Sequence, residues 1–388
     1  MRKLKLGVAG LGRAFALTAS TFARDRRVEL VAAADPRLEA RRKFEHDFHG
    51  KAFADVKELC ADPQVEAIYI ATPHQFHAEQ ACLAAAARKH VLVEKPMALS
   101  LDECRAMADA ARRHGVHLVV GPSHSFDPPI AKTRQLVDTG RYGRVRMITA
   151  LNFTDFLYRP RRPEELDTAR GGGAVHNQAA HQVDIARLLC SSPLRSVRAQ
   201  TGAWDPARPT EGAYSALLAF EDGAFATLVY SGYGHFDSDE FSGLIGELGQ
   251  KKDPAQYGQA RKLLSRKDEP ALKAARNYGG PDFRASEARF HEHFGPVIVS
   301  CERADLRPLP TGVMIHGDDE QRLEPLPPPE VPRAAVIDEL YEAAVNGKAP
   351  LHDALWGLAT TEACLAILES ARTGKEIPLS HQTSASRT

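Results

Sequence analysis

Leu4-Lys5-Leu6-Gly7-Val8-Ala9-Gly10-Leu11-Gly12-Arg13-Ala14-Phe15 decides the fold. The apolar run Leu4 to Ala9 reads as a strand, breaks at Gly10-Leu11-Gly12, and gives way to a helical pattern from about Arg13 to Arg24. Strand, Gly-x-Gly, helix is the layout that lets a pyrophosphate approach the backbone and rest on a helix N-terminus, where unpaired N–H groups favour an anion. The third fingerprint position is Phe15, not Gly or Ala, which weakens the motif because this position normally packs helix tightly against strand.

Working outward, a second strand, Val28 to Ala34, ends in Asp35, 20 residues beyond Phe15. At that distance a carboxylate takes the ribose hydroxyls of an adenosine. Asp35 repels a 2′-phosphate and favours NAD; Arg37 offers such a phosphate a charge and keeps NADP open. The competing role for Asp35 is helix N-cap ahead of Leu38 to His46. Strand Ala67 to Ala71, helix His77 to Ala87, strand Val91 to Val93, helix Leu101 to His114 and strand Val116 to Val120 follow. Strands separated by helical patterns mean a parallel, doubly wound sheet, which turns a weak Gly-x-Gly into a strong dinucleotide signal. Ala71-Thr72-Pro73-His74 ends one of these strands at the same crevice. His74 and His77 have no carboxylate at matching spacing and read as loop and helix-start residues, so no metal is expected.

His90-Val91-Leu92-Val93-Glu94-Lys95-Pro96-Met97 is the second organising stretch. A β-branched run ends abruptly, and Pro96 favours an extended Lys95. Ligands of open α/β sheets bind outside the carboxyl ends of the strands, so Lys95 stands at the lip of the crevice. A surface lysine opening a loop is the alternative. The expected cofactor-binding set is Gly10, Gly12, Arg13, Asp35, Arg37, Thr72, Pro73, His74, Glu94 and Lys95.

At 388 residues the chain exceeds what one core usually supports. Two domains are expected: a dinucleotide-binding domain over 1–125 and an α+β substrate and oligomerisation domain over 126–388. Fifty Lys and Arg balance fifty Asp and Glu, leaving no global field to attract nucleic acid or an anionic membrane. Six cysteines without a Cys-x-x-Cys pair read as reduced thiols. No stretch approaches about 18 uninterrupted apolar residues, so a cytoplasmic protein is expected.

From Arg144 longer β runs appear: Val145 to Phe153, Val197 to Gly202, Tyr214 to Phe220, Ala224 to Gly232, Val297 to Ser300 and Val313 to His316. Turn signals between them suggest a partly open, mostly antiparallel sheet. A helix from about Ala174 to Leu189 enters through Gly171-Gly172-Gly173, which permits close backbone approach to a ligand. Asn177 and His181 share one of its faces, with Asp184 three residues on. His181 can polarise or deprotonate a substrate hydroxyl; a buried structural imidazole is the rival role for it and for His176. Asp237 to His293 reads as a helical or irregular insertion, two amphipathic helices close the chain, and the polar tail from Ser380 looks frayed.

Gly10-x-Gly12, Ala71-Thr72-Pro73, Glu94-Lys95-Pro96, Gly171-Gly172-Gly173 with His181 and Asp184, and the ending His352-Asp353-Ala354-Leu355-Trp356-Gly357-Leu358 occur in this order. Together they resemble the glucose–fructose oxidoreductase/inositol dehydrogenase (Gfo/Idh/MocA) family. The resemblance implies a Rossmann domain, then an α/β domain whose open sheet makes homo-oligomer contacts (dimer or tetramer), and NAD(P)-dependent oxidation of a secondary alcohol carbon. The family's lysine maps to Lys95. Its Asp-x-x-x-His maps to Asn177 and His181, and Asn177 can only orient, which weakens the case for oxidation of the inositol type. Asn152 to Pro163 and Asn177 to Asp184 look like the branch containing phthalate 4,5-cis-dihydrodiol dehydrogenases. For a carboxylated cis-dihydrodiol oxidised to a catechol, Arg159, Arg161, Arg162, Arg170 and His176 are the substrate-binding candidates, since guanidinium binds carboxylate bidentately. Solvated loop arginines are the bland alternative. Sugar or inositol dehydrogenase, NAD-dependent glycoside hydrolase and non-catalytic nucleotide-sensing regulator are the rival functions.

Overall fold

The computed structural model describes residues 2–264, 268–284 and 288–385. The chain divides into two compact units: Met1–Pro122 with Pro270–Ser286 and Val331–Thr361, and Ser123–Glu269 with Glu287–Glu330 and Glu362–Thr388.

The first unit alternates β1 (Leu4–Ala9), α1 (Arg13–Arg24), β2 (Val28–Ala34), α2 (Leu38–Phe48), β3 (Lys51–Phe53), α3 (Val56–Ala61), β4 (Ala67–Ile70), α4 (His77–Ala86), β5 (His90–Val93), α5 (Leu101–His114) and β6 (Leu118–Val120). The sheet order is β3-β2-β1-β4-β5-β6 and every pairing is parallel. All of β4 and β6 is buried, as strands covered on both faces must be. The short β3 and α3 escape the sequence reading because Lys51–Phe53 is too brief to show a period. Strand order reverses between β1 and β4, which places the ligand crevice at Gly10 and Ala71.

Phe15 explains its own departure from the fingerprint. It is fully buried in an aromatic nest with Phe22, Phe44 and Phe48, and Tyr278 meets it edge-on at 4.9 Å. Tyr278 also donates to Asp47 at 2.7 Å. A stretch of the expected insertion therefore belongs to the first unit. So does Val331–Thr361, with the helix Ala334–Asn346 and the start of the last long helix. Tyr341 donates to the Arg2 carbonyl (2.7 Å), Val120 N–H to the His352 carbonyl (2.8 Å), and Gly357 lies against Val120 and Met97. A second domain running unbroken over 126–388 is thereby corrected.

The second unit holds a nine-stranded sheet. Its strands are β7 (Val145–Phe153), β8 (Leu194–Gly202), β9 (Ala213–Phe220), β10 (Phe225–Ser231), β11 (Val297–Cys301), β12 (Ala304–Leu309), β13 (Gly312–Gly317), β14 (Gln321–Pro325) and β15 (Ile377–Pro378). The order is β14-β13-β12-β11-β7-β10-β9-β8-β15, antiparallel except for β7 with β10. One face carries the helices Pro128–Asp138 and Ala180–Cys190, the latter buried along its whole length. On the other face Leu217, Thr227, Thr149 and Ile298 form a row across β9, β10, β7 and β11. Ala219, Phe225 and Met147 form the next row, and Leu217, Phe225 and Ile298 are exposed.

The tail is not frayed over its described part. Glu362, on the helix Ala354–Thr373, accepts the N–H groups of Ser380 and His381 and the Gln382 amide. These bonds outweigh burial and lower the Glu362 carboxyl to about 2. Among the described residues no helix is long and apolar enough to cross a membrane.

Candidate active site

In the first unit the glycine turn is shaped for a ligand. Gly10 has φ +91°, and a Cβ there would lie 2.9 Å from the Ala71 carbonyl oxygen and from Thr72. Gly12 caps α1 with no side-chain bond, α1 has no acid in its first turn, and a Cβ on Gly12 would meet nothing within 4 Å. The turn is thus an open cradle at the start of α1, where a helix presents N–H groups to an anion. Arg13 opens α1 and donates to the Arg276 carbonyl at 3.3 Å.

Asp35 is buried at the end of β2 and accepts the Leu11 N–H at 2.8 Å, pinning the glycine turn to β2. Arg37 closes on it: its backbone N–H (2.9 Å) and guanidinium (3.0 Å) reach Asp35, and the guanidinium also reaches the Leu11 carbonyl at 2.7 Å. Asp35 is not the cap of α2; Arg37 occupies that position without a side-chain cap. Thr72 donates to Gln80 (2.7 Å), Pro73 precedes the short turn His74–Phe76, and His74 is half-buried with its ring 5.6 Å from that of His77.

Lys95 is half-buried just beyond β5, and its peptide bond to Pro96 is cis. Its neighbours fix this turn. Buried His77 has Nδ1 3.0 Å from the Pro96 carbonyl and Nε2 2.9 Å from the Thr72 carbonyl. Burial lowers its pKa, so the neutral ring donates to one of the two. Glu94 turns into the interior, where it accepts the Tyr69 hydroxyl at 2.5 Å; burial raises both pKa values. Glu94 therefore buttresses the strand end that carries Lys95.

In the second unit the triple glycine serves the chain's own packing. Gly171 and Gly173 have φ +82° and +83°. A Cβ on Gly172 would lie 2.7 Å from the Asp167 backbone, and one on Gly173 would overlap the Glu211 carboxylate. Glu211 accepts the Val175 N–H at 3.0 Å and its carbonyl accepts the Ala174 N–H at 2.9 Å, so it caps the incoming helix. That helix opens as a turn of π-helix, Val175–Ala179, a geometry common at functional sites. Asn177 directs its amide at the Gly173 (2.8 Å) and Gly171 (3.3 Å) carbonyls and so holds the turn. His176 is 8% exposed, and burial lowers it to about 4, which keeps it neutral. Asp184 lies 3.9 Å from buried Arg187.

His181 sits in a nest the sequence reading missed. His124 and Phe294 each bring a ring centroid to 4.7 Å from it, and the His124 N–H points at its Nδ1 at 3.4 Å. His124 is buried, yet Asp127 at 2.7 Å and Glu247 at 3.6 Å outweigh desolvation and raise it to about 10. Arg159 pairs with Asp155 at 2.9 Å and with Glu247 at 3.5 Å, so its charge is held firmly. A usable signal existed: His124 and Asp127 lie three apart just after β6, as Lys95 follows β5. The remaining arginines are dispersed. Arg161 stacks on Phe156 at 3.7 Å and donates to its carbonyl, Arg162 pairs with Glu164 at 2.8 Å, and Arg170 is exposed. Among the described residues no group of three or more His, Cys, Asp or Glu is placed to hold a metal.

Two family models match the chain: "Oxidoreductase family, NAD-binding Rossmann fold" over residues 4–122 and "GFO/IDH/MocA C-terminal domain" over 130–250. The chain is 46% identical over 377 residues, 95% of each protein, to the 1-carboxy-3-chloro-3,4-dihydroxycyclohexa-1,5-diene dehydrogenase of Comamonas testosteroni. The chain belongs to the Gfo/Idh/MocA family. It is an NAD-dependent oxidoreductase, a dehydrogenase whose Rossmann unit binds the cofactor. Among solved structures, a dehydrogenase from Bordetella bronchiseptica RB50 matches 97% of this chain and 100% of its own, with 44% identity and TM-score 0.93. WlbA from Bordetella pertussis, in complex with NADH and UDP-GlcNAcA, shares the fold at TM-score 0.69 and 24% identity, covering 98% of this chain and 99% of its own.

Proposed function

We propose that the protein oxidises a carboxylated cyclohexadiene cis-diol to a catechol with NAD⁺. The observation that carries this reading is the 46% identity, across 95% of both chains, to the Comamonas dehydrogenase. The cradle at Gly10 and Gly12, the uncapped start of α1 and the Asp35 carboxylate fit the pyrophosphate and ribose of the dinucleotide. Bound NAD⁺ supplies the hydride acceptor. The carbinol C–H bond breaks with its electron pair, the hydroxyl loses its proton to the protein, and the ketone left behind tautomerises to an aromatic catechol.

The reading assigns that hydroxyl proton to Lys95 and His181. With the His124 N–H aimed at Nδ1, a neutral His181 keeps its proton on Nε2 and donates to the substrate oxygen. Lys95 is then the proton acceptor, and His77 and Glu94 hold its turn from beneath. Asn177 acts by shaping the glycine turn. Arg159, Arg161, Arg170 and His176 are the candidates for contacting the substrate's carboxyl and ring. Lys95→Ala is expected to lower kcat by about 10²–10⁴, the usual worth of general acid–base help, while calorimetry still detects NAD⁺ binding. Turnover near the wild-type rate in this variant removes Lys95 from the chemistry.

The same reading places the enzyme in the cytoplasm as a homo-oligomer. Six cysteines with no Cys-x-x-Cys pair among them support the first, and the exposed apolar rows on β7, β9, β10 and β11 support the second.

A further inference from the structure

Five charged groups in the second unit alternate in sign: Asp127, His124, Glu247, Arg159 and Asp155. The outer pairs are close, with His124 Nδ1 2.7 Å from Asp127 and Arg159 Nε 2.9 Å from Asp155. Toward these two cations the central carboxylate is held less closely. One oxygen of Glu247 lies 3.6 Å from His124 Nε2 and the other 3.5 Å from Arg159 Nη1, both beyond the usual length of a charge-assisted hydrogen bond. The turn that carries it is held by Gly246 N–H donating to the Gln250 carbonyl (2.7 Å), Gly249 N–H to the Gly246 carbonyl (2.8 Å) and His293 N–H to the Glu247 carbonyl (3.3 Å). Its side chain is 22% exposed, against 6% for His124. The position is thus two firmly charged cations, each with one permanent partner, sharing one carboxylate that has a way out to solvent. His181 is one ring contact from His124.

We propose that the His124–Arg159 pair is the binding site for the substrate's carboxylate, and that Glu247 is an internal carboxylate that occupies it until the substrate displaces it. This rests on the carboxylated-substrate reading above. The three acids Asp127, Glu247 and Asp155 already exceed the two cations, so an incoming carboxylate is accepted only as Glu247 swings out. Glu247 is therefore a specificity-determining residue. It sets a threshold that a carboxylate overcomes by replacing it and a neutral ring does not.

The test uses the full chain with benzoate and benzamide as unreactive probes, read by calorimetry with NAD⁺ bound, beside steady-state KM for carboxylated and uncarboxylated diols. Wild type is expected to bind benzoate and not benzamide. Glu247→Gln is expected to tighten benzoate and lower KM for the carboxylated diol roughly tenfold, the equivalent of one step in a logarithmic affinity scale. Arg159→Gln is expected to lose benzoate. Equal binding of both probes by wild type overturns the proposal even where Glu247→Gln fails to fold. Unchanged or weaker benzoate binding in a folded Glu247→Gln overturns it too. Benzoate binding as predicted without oxidation of any diol leaves the carboxylate site standing and refutes the substrate reading instead.

Discussion

At the scale of single residues, His124 has the clearest measurable consequence. Desolvation opposes its charge, but Asp127 and Glu247 lift its pKa from 6.5 to about 10. A folded-state pKa above the unfolded value stabilises the fold fully below the unfolded pKa, and the benefit is lost as pH rises through the folded one. The melting temperature of wild type is therefore expected to exceed that of His124→Gln most at about pH 6 and least above about pH 10. A gap independent of pH denies His124 its charge. Lys95, His181, Gly10 and Asp35 were legible because strand ends and motif spacing point at them. The pairing of His124 with Glu247 was not, since 123 residues separate the two and only the tertiary fold brings their charges together. Arg161 was legible as a cation, but its stacking on Phe156 depends on a loop conformation that no periodicity encodes.

At the scale of elements, the two glycine turns looked alike in sequence and differ in what they serve. Gly12 faces open space at the start of α1, whereas Gly173 has φ +83° and abuts the Glu211 carboxylate. Gly12→Ala is expected to leave the melting temperature near wild type and weaken NAD⁺ binding roughly tenfold in calorimetry. Gly173→Ala is expected to destabilise the fold by about 1–3 kcal/mol in denaturant unfolding, through backbone strain and displacement of the helix cap. The reverse pattern contradicts both assignments. The parallel strands other than β3 were readable as buried apolar runs. The π-helical turn at Val175–Ala179 was not, because its side-chain pattern reads equally well as an ordinary helix start.

At the scale of the whole molecule, the first and second sheets differ in how their faces are covered. The six-stranded sheet is covered on both faces, while the nine-stranded one leaves Leu217, Phe225 and Ile298 exposed in adjoining rows. Light scattering is expected to report an oligomer that Leu217→Lys with Phe225→Lys dissociates without loss of fold; an unchanged mass argues against this face as the contact. The order of the units was readable from the switch between strand–helix alternation and longer β runs. The return of Val331–Thr361 to the first unit was not, because it depends on contacts such as Tyr341 with the Arg2 carbonyl, far apart in the chain.

The most direct measurement is the absorbance of reduced nicotinamide with NAD⁺ and a panel of carboxylated cyclohexadiene cis-diols, inositols and sugars. NADH accumulating one-for-one with catechol from a carboxylated diol, and not from the inositols or sugars, is the expected result. Steady NADH formation from a sugar or inositol, with the diols inert, contradicts it.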